Sequence, residues 1–232
     1  MLPIRDDVRS QSFPIMNTLL IAANAIVFFL EAGLSPVQMD RVVNLIGFVP
    51  ARFSLLNPLS YLPIFTSMFM HGGWFHIISN MWILFIFGDN VEDRIGSFRY
   101  LFFYLLGGVA AALLHFFVQP TSNIPVVGAS GAIAAVMGAY FLFYPRARVI
   151  SMIPVFVIPW FIQVPAVIYL GVWFISQLYS GVLSLGGAGG VEMGGIAWWA
   201  HIGGFVFGAL MSGLFGAKRK KPRWYTDQYY PW

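Results

Sequence analysis

The chain has 232 residues, 59% hydrophobic and 9% charged, with a mean hydropathy of +0.76 and a formal net charge of +4. A soluble domain is about a quarter charged, so water is excluded as the sole solvent of this fold. Cysteine is absent, which excludes a disulfide framework, a thiolate metal site and a cysteine nucleophile.

Runs free of Asp, Glu, Lys and Arg cover 10–30, 53–88, 100–145, 149–191 and 193–217. Each exceeds the roughly 20 residues that cross a bilayer as a helix, and the third accommodates two crossings. The pattern predicts an all-α polytopic membrane protein with six transmembrane helices, at 13–30, 69–88, 98–118, 126–144, 163–184 and 195–216. No small-residue cleavage site follows the first apolar run, so it reads as a retained span. The long first loop, 31–68, carries four prolines and the apolar residues Leu45, Phe48 and Leu55, and suits the membrane interface. "GDNVEDRIGSFR" reads as a short polar link between spans two and three. Pro154, Pro159 and Pro165 shape the entry to span five, and "SLGGAGGVEMGG" is a flexible link into span six. Residues 1–216 form one core, and 217–232 a short basic, aromatic tail.

Basic residues set the orientation. With the N-terminus inside, 11 of the 13 Lys and Arg residues lie inside, and only Arg41 and Arg52 lie outside. Both termini are then cytoplasmic. The tail cluster Lys218, Arg219, Lys220, Lys221 and Arg223 suits an anionic lipid surface and not nucleic acid.

The expected span interiors hold no acidic or basic side chain, but they do hold His76, Asn80, His115, Ser130 and His201. Polar groups at membrane depth are costly and mark functional sites by default. A lone serine there also commonly just bonds to a carbonyl one turn back. Depth favours function. Counted from the inside ends at 1.5 Å per residue, His76, Ser130 and His201 lie at roughly 20, 24 and 26 Å, all in the outer half. Asn80 shares a helical face with His76. Small-residue ridges at Gly131, Ala135 and Ala139, and at Ala200, Gly204, Gly208 and Ser212, allow spans four and six to pack closely. That packing brings Ser130 near His201.

A serine hydroxyl becomes a nucleophile when a base takes its proton, and His201 is the candidate base. With no carboxylate in these interiors, the residues allow a Ser–His dyad. Donors for an oxyanion are available from His76, Asn80 and the backbone N–H of Ser130. A transporter or channel is the alternative for polar residues gathered at one depth.

The stretches "HGGWFHIISN" (71–80), "GDNVEDRIG" (88–96), "GASGA" (128–132) and "AHIGGFVFG" (200–208) resemble the rhomboid family of intramembrane serine proteases, in the family's order. The resemblance is to the prokaryotic, six-span type. It implies cleavage of transmembrane protein substrates near the outer boundary of a prokaryotic cell membrane, with no metal or cofactor. Ser130 and His201 resemble the catalytic pair, and His76 and Asn80 the oxyanion-hole residues. His71 resembles a structural histidine, Gly128 lies beside the site, and Glu92 in Gly88-x-x-x-Glu92-x-x-x-Gly96 is structural. Ala134 stands where some members carry a tyrosine that packs on the histidine. The first loop also lacks the Trp-Arg pair of some members. A catalytically silent relative that binds membrane clients is the second alternative, against which all four family positions are filled.

Overall fold

The computed structural model describes residues 1–155, 158–186 and 196–216. The basic tail and most of the glycine-rich link fall outside these residues. The chain opens with strand β1 (Leu2–Asp6) and helix α1 (Ile15–Ala32). The first loop contains α2 (Pro36–Ile46) and α3 (Leu62–Ser67). Helices α4 (Trp74–Ile95), α5 (Ser97–Val118) and α6 (Ser130–Phe143) follow. Strands β2 (Arg148–Val155) and β3 (Ile158–Pro165) precede α7 (Ala166–Gly186) and α8 (Trp198–Phe215).

Among the described residues, four helices, α1, α5, α7 and α8, are long and apolar enough to cross a membrane. Helix α6 has 14 residues, about 21 Å of rise, short of the roughly 30 Å of a hydrocarbon core. Every residue from Gly131 to Tyr140 is buried, so α6 is the central post of the bundle, with α4, α5, α7 and α8 packed around it.

Small residues make that packing possible. A Cβ at Gly204 would sit 2.0 Å from the Gly131 carbonyl oxygen, and one at Gly208 would sit 1.9 Å from that of Ala135. The α6 and α8 backbones are therefore in direct contact, as the two ridges predict.

The link between α4 and α5 differs from expectation. The charges of "GDNVEDRIG" do not end α4, which continues to Ile95 and turns into α5 at Gly96, where φ is +87°. The helix tolerates these charges because they have partners. The Glu92 carboxylate accepts from the N–H groups of Met16 (3.0 Å) and Asn17 (2.7 Å) in the first turn of α1. Those N–H groups have no intrahelical partner, and an anion there is favourable. Gly88 leaves room beside it for Asn17, whose Oδ1 accepts from the Tyr100 hydroxyl at 2.8 Å. Glu92 thereby ties α4 to the start of α1.

The all-α expectation needs correction. β1, β2 and β3 form an antiparallel sheet in that order, with Leu2 opposite Met152 and Asp6 opposite Val149. β2 and β3 form a hairpin from Arg148–Pro165 to Val155–Ile158, which moves the start of the fifth long helix from 163 to Ala166. Pro154 lies beyond the last β1 pairing, so its missing N–H interrupts no ladder on that side. β1 runs along α4. Trp82 Nε1 donates to the Pro3 carbonyl (2.6 Å), and Asn90 Nδ2 donates to Asp6 (2.8 Å), which also accepts from the Tyr140 hydroxyl. Burial pushes the Asp6 carboxyl up to about 6, against the Tyr140 hydrogen bond, and Asp89 and Asp7 add to the rise.

The first loop is folded and not a bare connection. A Ser35/Gln38 capping box starts α2, and Phe48, Phe53, Ile64 and Met68 pack with Ala112 of α5. Phe48 bridges to Val126, tying the loop to the segment that enters α6.

Candidate functional site

Three helices deliver the polar residues to one place. Ser130 is the first residue of α6, His76 lies in the first turn of α4, and His201 in the first turn of α8. Ser130 Oγ is 2.8 Å from His201 Nε2. The expectation that α6–α8 packing brings serine and imidazole together corresponds to this contact.

His76 faces them from α4. Its Nδ1 accepts from the Gly72 N–H at 3.4 Å, which leaves Nε2 carrying the proton. Nε2 points at Gly128: a Cβ there would meet it at 2.7 Å and Ser130 Oγ at 3.7 Å. Gly128 also has φ +126°, a conformation that side chains other than glycine rarely adopt. Gly128 thus serves by admitting the imidazole of His76 as well as by keeping the serine accessible. Asn80 is buried one turn further along, with its Nδ2 bonded to the His76 carbonyl at 2.9 Å. One amide proton remains for another acceptor. The Ser130 backbone N–H, at the helix start, has no intrahelical acceptor.

His71 is not at the chemistry. It is buried, its ring stacks edge-on to His76 with centroids 5.0 Å apart, and its backbone N–H donates to Glu31 Oε2 at 3.1 Å. Glu31, at the end of α1, thereby fixes the loop that precedes α4. Nothing in the sequence singles out Glu31, because it falls just beyond the expected span.

The question left by Ala134 is answered from another helix. Ala134 is fully buried with its Cβ close to Gly204, so an aromatic ring there would separate α6 from α8. The imidazole of His201 lies instead against Trp173 of α7, with centroids 5.9 Å apart and planes inclined by 32°, and meets Trp198 edge-on at 6.3 Å. Its Nδ1 is 2.8 Å from Oε1 of Gln177, also on α7. Neither Trp173 nor Gln177 stands out in the sequence as a partner of His201, because the chemistry points to a carboxylate and the resemblance to an aromatic at 134. Yet Gln177 is the one amide in the apolar stretch "AVIYLGVWFISQLYSGVLSLG".

A cavity of about 740 Å³ opens on Ser130, His76, Asn80 and His201. It follows α6 past Ile133 to Met137, about 10 Å along the helix, between Ile83 of α4 and Tyr169 and Trp173 of α7. Its wall is mostly apolar away from the polar cluster.

A polytopic helical membrane protein, with a bonded serine and histidine at the mouth of an apolar cavity, is the class that fold and site define. The Rhomboid domain model matches residues 58–218, and the chain belongs to the rhomboid family. It is 32% identical over 111 residues to the chloroplastic Rhomboid-like protein 11 of Arabidopsis thaliana, covering 48% of this chain and 39% of that protein. It is 30% identical over 204 residues to the mitochondrial RHOMBOID-like protein 12 of the same plant, covering 77% and 56%. It is 31% identical over 143 residues to the mitochondrial Presenilin-associated rhomboid-like protein of Mus musculus, covering 59% and 35%. The chain thus spans between about a third and just over half of the length of these relatives. Their names place them in chloroplasts and mitochondria, so the expected prokaryotic cell membrane finds no support among them.

Proposed function

We propose that this chain is an intramembrane serine endopeptidase that hydrolyses peptide bonds in transmembrane substrates. The observation that carries the reading is the 2.8 Å contact between Ser130 Oγ and His201 Nε2 at the mouth of the apolar cavity. In the proposed reaction His201 Nε2 takes the Ser130 proton as Oγ attacks the carbonyl carbon. The oxyanion meets the Ser130 N–H, His76 Nε2–H and the free Asn80 amide proton. His201 then gives its proton to the leaving amine; a water molecule deprotonated by the same nitrogen attacks the acyl carbon, and the departing Ser130 Oγ takes that proton back. The scissile segment enters extended, because the carbonyls and N–H groups of a helical peptide are engaged by their own backbone. The apolar slot along Ile133 and Met137 suits the membrane-embedded part of such a substrate.

The same proposal takes α1, α4, α5, α6, α7 and α8 as the membrane bundle, with both termini inside and the site opening to the outer side. Asp6, at the end of β1, bonds to Asn90 and Tyr140 in the C-terminal halves of α4 and α6, and the polar cluster lies at the opposite ends of these helices, which supports a site on the side away from the entry to α1. A fluorophosphonate probe tests the nucleophile. Labelling of the wild type and loss of labelling in Ser130→Ala are expected. Equal labelling of both proteins overturns the assignment.

A further inference from the structure

We propose that Gln177 is the third member of the catalytic set, a positioning residue that fixes the tautomer and orientation of His201. The inference rests on the protease reading only for its effect on turnover.

Gln177 is 6% exposed and sits on α7, not on the helices that carry the serine and histidine. An amide can face an imidazole with either its oxygen or its nitrogen, and the neighbours decide which. The Ser176 hydroxyl donates its one proton to the Trp173 carbonyl at 2.6 Å. Its lone pairs then accept from Gln177 Nε2 at 3.0 Å, and Nε2 also reaches the Trp173 carbonyl at 3.4 Å. Both of those partners want a donor, so the nitrogen end of the amide is committed to them. Oε1 is left facing His201 Nδ1 at 2.8 Å, and an acceptor there requires the proton on Nδ1. His201 Nε2 is thus the lone-pair nitrogen, at 2.8 Å from Ser130 Oγ, in the form that can accept the serine proton. With the opposite tautomer, Nε2–H would point at the hydroxyl and take nothing from it. Trp173 serves twice, since its carbonyl orients the amide and its ring lies against the imidazole.

The role resembles that of a triad carboxylate, with a neutral oxygen in place of a charge. A neutral acceptor fixes geometry but adds little to the stability of the imidazolium, so the expected loss on its removal is on the order of 10–100-fold, below the ~10⁴ of a charged partner.

The test uses the full chain in lipid bilayers with ¹⁵N-labelled histidine, the His201 signals being identified by their loss in His201→Ala. Nitrogen shifts distinguish the two tautomers without any need for activity. The wild type is expected to hold His201 with the proton on Nδ1. Gln177→Met, similar in volume but without the acceptor, is expected to shift His201 toward the Nε2–H form. It should also lower kcat about 10–100-fold while KM changes less than about threefold. Gln177→Glu restores an acceptor. It is expected to return the Nδ1–H form, recover most of kcat, and move the acidic limb of the kcat/KM profile to higher pH, because a carboxylate favours the imidazolium. A wild-type His201 protonated on Nε2, or one whose tautomer Gln177→Met leaves unchanged, overturns the proposal. A wild type that shows the Nδ1–H form but cleaves no substrate leaves the Gln177 assignment standing and removes the protease reading instead.

Discussion

Adding one methyl group to Gly204 is the sharpest structural perturbation of the site that leaves its polar residues in place. In Gly204→Ala the new Cβ would lie 2.0 Å from the Gly131 carbonyl oxygen and 3.0 Å from its carbon. An ordinary contact begins near 3.4 Å, so α8 must withdraw from α6 by about 1.4 Å, since a backbone carbonyl inside a helix does not yield. His201 lies three residues earlier on the same helix and moves with it. Its 2.8 Å contact with Ser130 then opens to about 4 Å, beyond hydrogen-bond reach. A misplacement of this size costs on the order of 10²-fold in turnover. Overpacking destabilises the bundle by about 1–3 kcal/mol as well. The assay is cleavage of a transmembrane reporter in proteoliposomes, with thermal unfolding measured on the same preparation. Gly213→Ala is the control, because a Cβ there meets nothing within 4 Å on the same helix. Gly204→Ala with a rate within about threefold of Gly213→Ala would refute the argument that backbone contact between α6 and α8 sets the serine–histidine distance.

Gly128→Ala is expected to lower kcat by about 10²–10³-fold with Ser130 still labelled by a fluorophosphonate, because a Cβ 2.7 Å from His76 displaces an oxyanion donor and not the nucleophile. Glu92→Ala leaves the Met16 and Asn17 N–H groups without their carboxylate and is expected to cost about 1–3 kcal/mol, read from denaturant or thermal unfolding. Asp6 titrates near 6 in the fold against 3.8 for the free side chain, so its contribution favours the folded state at low pH and is lost as pH rises through about 6. The wild-type melting temperature should therefore fall relative to Asp6→Asn between about pH 4 and pH 8, and parallel curves would contradict this.

The candidate site was more legible in the sequence than the periphery. Ser130 and His201 were legible because a charge-free chain leaves few polar groups at membrane depth, and because the ridges at Gly131 and Gly204 pair their helices. The sheet was not legible. "RVISMIPV" and "IPWFIQVP" lack the apolar–polar alternation of a strand with one wet face, and their prolines read as a helix entry. The end of α4 was misjudged for a related reason. A charge predicts the end of a span, whereas Glu92 is buried against the N–H groups of α1, a long-range partner that composition does not reveal. Gln177 carried a signal that was there to be read, a single amide in an apolar helix. That signal is weak on its own, because an amide in an apolar helix also bonds to its own backbone, as Gln177 Nε2 does to the Trp173 carbonyl.

The most direct test of the central claim is cleavage of a transmembrane reporter by the purified chain in proteoliposomes, wild type against Ser130→Ala. Cleavage within the reporter's membrane segment is expected from the wild type, and none above background from Ser130→Ala. Undiminished cleavage by Ser130→Ala would contradict the claim.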